Sequence, residues 1–150
     1  MTGRILIAEV GGERISLLLE QVAEVLEHAS TFPLPLAPPF LDRAISAKGC
    51  LTPVLDTARF LGWGATRSPG RILVMVGDGV NLALHVDRVT DIVSADTVLG
   101  EKPSVGAPFA SLLLLPCGEA PLLSSGQLLR MLERSLAGSR GETGHENTAG

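Results

Sequence analysis

Few side chains in this chain of 150 residues have types and spacing that could do chemistry. His85 and Asp87 stand two positions apart in an apolar segment that reads as a strand, where alternate residues share a face. A histidine beside a carboxylate is a minimal acid–base pair; the plainer reading is a surface hydrogen bond. Cys50 and Cys117 are the two cysteines, and either thiol with His85 would make a thiol enzyme or hydrolase. Both lie beside apolar strands, the usual setting of a buried and unreactive cysteine. They are far apart, and His28, His85 and His145 are scattered, so neither set has metal-ligand spacing. Glu20, Glu24, Glu27, Asp87 and Asp91 read as solvated strand faces first and as a site for a cation or basic partner second. Gly11-Gly12 and Gly77-Asp78-Gly79 lack the Lys-Ser/Thr or following helix of a phosphate loop and read as turns. No catalytic constellation and no cofactor or metal site emerges, which favours binding over catalysis.

The elements that must position these residues follow a repeated grammar. Ala44 to Gly62 reads as strand, tight turn at Lys48-Gly49, second strand, then a short helix. Asp56 is its N-cap, and Gly62 its left-handed stop. Arg4 to Val10 reads as a strand, Gly11-Gly12 as a hairpin turn, Ile15 to Leu19 as the return strand, and Val22 to Glu27 as a further strand. Thr31 to Pro39 holds four prolines and is an extended connector. Sliding Arg4–Leu26 by 67 positions lays it on Arg71–Val93 without a gap. Arg4-Ile5-Leu6 falls on Arg71-Ile72-Leu73, Gly12 on Gly79, Leu17 on Leu84 and Val22 on Val89. At an offset of 68, Pro53-Val54-Leu55-Asp56 falls on Pro121-Leu122-Leu123-Ser124, so cap falls on cap.

Two copies of about five short strands, each ended by a capped helix, predict a mostly β protein. Its architecture would be two duplicated five-stranded barrels packed on a shared apolar interface. One domain over 1–138 is expected, with halves at about 1–66 and 67–138. Ser125 to Leu136 is the final helix, with Leu128, Leu129, Leu132 and Leu136 near one face. The stretch 139–150 is almost free of apolar residues and is expected to be a disordered tail.

Apolar residues make up 45% of the chain, enough for a core, and the formal net charge is −4. With one Trp, four Phe and no Tyr, the chain lacks the basic stripe and stacking aromatics of a nucleic-acid surface. The densest apolar run, Ala110 to Leu115, is cut by Pro116 and is too short for a membrane span. No signal segment opens at Met1, so a cytoplasmic, reduced setting is expected.

Pro38-Pro39-Phe40-Leu41, then Ala44 to Gly62, then Val86-Asp87-Arg88-Val89 resemble the CheW-like family of bacterial chemotaxis coupling proteins. The family pattern runs Pro-x-Phe, Asn-Leu-Arg-Gly, Pro-Val-x-Asp-Leu and Val-Asp-x-Val, in this order and spacing over about residues 4–136. The resemblance implies two SH3-like barrels and an adaptor without enzymatic activity. It would join the cytoplasmic tips of chemoreceptors to the regulatory domain of a sensor histidine kinase. By position, Val22 and Glu24 would meet the kinase domain. Lys48, Ile72 and Leu73 would meet the receptor's helical hairpin in a groove between the barrels; the plainer reading of Ile72 and Leu73 is ordinary barrel core, and an exposed apolar patch there would favour the contact. Asn-Leu-Arg-Gly is Ser46-Ala47-Lys48-Gly49 here, so the charge is kept without the bidentate fork of Arg. Ser124 caps the second helix where the family has Asp, and the chain is short around Asp96 to Pro108. Two alternatives stand beside the adaptor: a small-ligand sensor with a pocket between the barrels, and the thiol or hydrolase centre above.

Overall fold

The computed structural model describes residues 3–149 other than Lys48 and Asp78; of residues 139–149 it describes only the backbone course. The first copy comprises β1 (Arg4–Val10), β2 (Glu13–Leu18), β3 (Val22–Leu26), β4 (Phe32–Pro33), β5 (Arg43–Ala47), β6 (Cys50–Asp56) and helix α1 (Thr57–Leu61). The second comprises β7 (Arg71–Met75), β8 (Ala83–Val86), β9 (Arg88–Ser94), β10 (Gly100–Lys102), β11 (Phe109–Leu115), β12 (Gly118–Leu123) and helix α2 (Ser125–Ala149). Both expected caps are made. The Asp56 carboxylate accepts from the Arg59 amide at 3.2 Å, and Ser124 Oγ accepts from the Gln127 amide at 3.2 Å. Gly62 ends α1 at φ 77°, a left-handed position that costs glycine nothing.

The strands form two six-stranded sheets, in the orders β10-β11-β12-β2-β1-β9 and β3-β7-β8-β6-β5-β4. The strand beyond the expected five in each is short: β4 has two residues and β10 three. Read in reverse, the second order becomes the first when every strand is replaced by its copy. Each β-hairpin has crossed over: β1–β2 completes the sheet of the second copy, and β7–β8 completes that of the first. The crossings are sealed by matching parallel pairs, Leu122 opposite Ser16 and Val54 opposite Ala83. The halves of the sequence are therefore not the halves of the fold. The sequence repeat could not show this, because identical hairpins fit either sheet equally well.

Three apolar clusters follow the duplication. Ile5, Ile7, Leu113, Leu115 and Leu122 fill the first barrel. Their copies Ile72, Val74, Ile45, Ala47 and Val54 fill the second. Val93 of β9 and Val98 beside β10, from opposite ends of the first sheet, pack on the same filling, as a sheet curled into a barrel requires. The alternate residues of the same strands face the other way. Leu6, Ala8, Leu17, Leu55, Leu73 and Leu84 meet Leu128 and Leu132 of α2 in a third cluster, the interface shared by the barrels.

Helix α2 runs on to Ala149, through the stretch expected to be a disordered tail. No proline interrupts it, and a nucleated helix adds one hydrogen bond for each residue fixed.

Candidate functional site

The structure separates the two residues read as an acid–base pair. His85 lies in β8 and is 5% exposed. Asp87 follows the end of that strand, in the bend before β9, so the shared strand face does not exist. The Asp87 carboxylate accepts from the Arg67 amide at 2.7 Å and from the Gly12 amide at 3.4 Å, where it fastens two loops. His85 Nε2 lies 2.9 Å from the Pro69 carbonyl oxygen, and Nδ1 lies 3.4 Å from Arg43 Nη2. A guanidinium only donates, so Nδ1 accepts and the proton sits on Nε2, which donates to Pro69.

The segment between α1 and β7 holds this arrangement. Thr66 donates its hydroxyl to Asp56 at 2.6 Å and its amide at 3.0 Å. Gly70 sits at φ 61°, and a Cβ there would stand 2.4 Å from the Val86 carbonyl and 2.6 Å from His85 Nε2. Only glycine lets the chain pass this close to β8. Burial pushes the Asp56 carboxyl up, but hydrogen bonds from Thr66 and Arg59 outweigh it and hold the group below its ordinary value. On the first barrel, a two-point hydrogen bond from Arg88, at 2.8 and 2.9 Å, holds Glu9 below its ordinary value.

Both cysteines are exposed, not buried as their apolar neighbours suggested, because each sits at a hairpin turn. Neither forms a centre with His85. Cys50 opens β6 while His85 pairs with Asp56 at the other end, about 20 Å along an extended strand. Cys117 is in the turn between β11 and β12 of the other sheet, where its carbonyl accepts from Arg14 at 2.7 Å. No group of three His, Cys, Asp or Glu among the described residues could hold a metal ion.

The residues expected to dock partners fare unequally. Val22 is half-buried against the shared core and Glu24 is exposed, both on β3, the edge strand of its sheet. Lys48 lies outside the described residues. Leu73 is fully buried in the shared interface and Ile72 is 8% exposed inside the second barrel, so they form no exposed apolar patch. Their strand, β7, lies between β3 and β8 with apolar filling on both faces, which buries adjacent residues alike. Sequence reasoning passed over Arg43, Thr66 and Pro69. Only Arg43 left a trace: a cation at a position whose copy, at an offset of 68, is Ser111.

Crossed hairpins, twin apolar fillings and a common interface define a mostly β protein of two packed SH3-like barrels. The chain belongs to the CheW-like domain family, whose model matches residues 4–112. It is 36% identical over 109 residues to Protein FrzA of Myxococcus xanthus, a match covering 73% of this chain. The chain spans 62% of the length of that relative. Its fold is similar to that of the scaffolding protein TtCheW from Thermoanaerobacter tengcongensis, with a TM-score of 0.71 at 21% identity. That likeness covers 83% of this chain and 90% of the other.

Proposed function

We propose that this protein is a non-catalytic adaptor coupling chemoreceptors to a sensor histidine kinase in a cytoplasmic chemosensory complex. Family membership supports the class of role, and one observation carries the coupling surface. Strand β3 ends its sheet, with no sheet neighbour beyond it among the described residues, and carries the half-buried Val22 and the exposed Glu24. An apolar contact flanked by a charge on an edge strand suits a second β domain, which can add to the edge or pack against it. The receptor contact falls to Lys48, whose charge suits carboxylates on a helical hairpin.

The test is capture of the protein by an immobilised regulatory domain of the kinase. Val22→Asp and Glu24→Arg are expected each to weaken capture at least tenfold; Glu24→Arg, at an exposed position, keeps the native melting temperature within a few degrees, whereas Val22→Asp sets a charge against the shared core and lowers it, so its capture is measured well below its own melting temperature. Undiminished capture of both variants would remove β3 from the interface.

A further inference from the structure

The duplication supplies an internal control for the two barrel interiors, and the two differ at one end. In the first barrel Leu18 and Leu122 pack on the apolar filling with Ile5. At the copied positions of the second barrel stand His85, Val54 and Ile72, and Arg43 takes the place of Ser111. A leucine has become a histidine, another has lost a methylene, and a serine has become an arginine. At this end of the second barrel lies a cavity of about 430 Å³. Val54 and Ile72 give it an apolar floor, and Arg43 and His85 give it a polar wall.

The wall is built rather than incidental. His85 is nearly enclosed, and its ring is fixed by the Pro69 carbonyl, on a loop that Gly70 lets lie against β8. Arg43 has 41% of its side chain exposed and few demands on its donors. It makes a long 3.4 Å contact to His85 and stands 4.0 Å from Asp42. The acid at the rim, Glu27, is engaged with Arg71 at 3.3 Å and does not neutralise Arg43. The hydroxyls of Ser30, Thr31 and Ser68 also line the space.

We infer that the mouth of the second barrel is a binding site for a small organic carboxylate with an apolar tail. The planar guanidinium of Arg43 would take the carboxylate through two parallel hydrogen bonds, and the tail would lie on Val54 and Ile72. A cavity of this size suits a ligand in the small-molecule range.

The test uses butyrate as probe, with inorganic phosphate as an anion lacking the tail, in titrations of the full chain followed by amide NMR. Butyrate is expected to shift the amides of Arg43, Val54, Ile72 and His85 saturably, and phosphate to bind at least tenfold more weakly. Arg43→Gln should weaken butyrate at least tenfold with the melting temperature unchanged. The double variant Arg43→Ser, His85→Leu, which installs the residues of the first barrel, should abolish binding while keeping the native spectrum elsewhere. Absence of saturation at tens of millimolar butyrate, phosphate binding as tightly as butyrate, or undiminished binding by Arg43→Gln would each overturn the assignment. Kinase capture by Arg43→Gln reads the adaptor role separately, since β3 lies outside the substitution.

Discussion

Asp56 does two jobs with one carboxylate. It caps α1 through the Arg59 amide, and it fastens the following loop through the hydroxyl and amide of Thr66. The folded protein holds it below its ordinary value of 3.8, so folding favours the ionised form. The unfolded chain therefore binds the proton more readily, and stability rises with pH across the interval between the two values. The contribution is complete above about pH 5 and is lost as the pH falls through 3.8 towards the lower folded value. Asp56→Asn should cost about 1–2 kcal/mol at neutral pH and flatten the acid limb of a plot of melting temperature against pH. An acid limb as steep in the variant as in the parent would assign the pH dependence to other carboxylates. The cap was legible in the sequence because capping grammar is local, with the donor three residues on. The second job was not, because Thr66 meets Asp56 only through the course of the loop. His85 shows the same limit: its spacing to Asp87 suggested a pair, but strand β8 ends between them and each turns to a loop.

At the scale of elements, the sequence pattern identified the β-hairpins, both helix starts and the apolar face of α2. Leu128 and Leu132 are buried in the shared interface, and Leu129 and Leu136 pack against it half-buried. The copies of Leu128 and Leu129 are Phe60 and Leu61 of α1, which reach the same interface from the first copy. Both helices thus close one core, and truncating their inward side chains opens a cavity in it. Leu128→Ala should cost about 2–5 kcal/mol in urea unfolding, and Leu129→Ala distinctly less. Equal losses would mean that α2 is rotated about its axis from the position described. The short strands β4 and β10 left no readable pattern, since two or three residues carry no period. The burial of Leu73 was not legible for a related reason. An apolar residue on a strand covered on both faces gives the same sequence signal as one on an exposed patch.

The whole molecule depends on the exchange of hairpins, which changes what counts as a folding unit. Each sheet draws four strands from one copy and two from the other, joined through a parallel seam. In a fragment of residues 1–66, β3 has lost β7, its one sheet neighbour, and β2 has lost β12. In residues 67–150, β9 has lost β1 and β8 has lost β6. Neither fragment can close a barrel or bury its share of the common interface, and each is below the size at which a lone core is comfortably stable. Both should be unfolded alone by far-UV circular dichroism, with no cooperative melt. Mixed in equal amounts, they should recover the β-sheet spectrum and melt in one concentration-dependent transition. The intact chain should unfold in a single transition, because separating the barrels exposes Leu6, Leu17, Leu73 and Leu84 together. A fragment that melts cooperatively by itself would show that a barrel can be built within one half, so that the crossed hairpins join two folding units instead of making one.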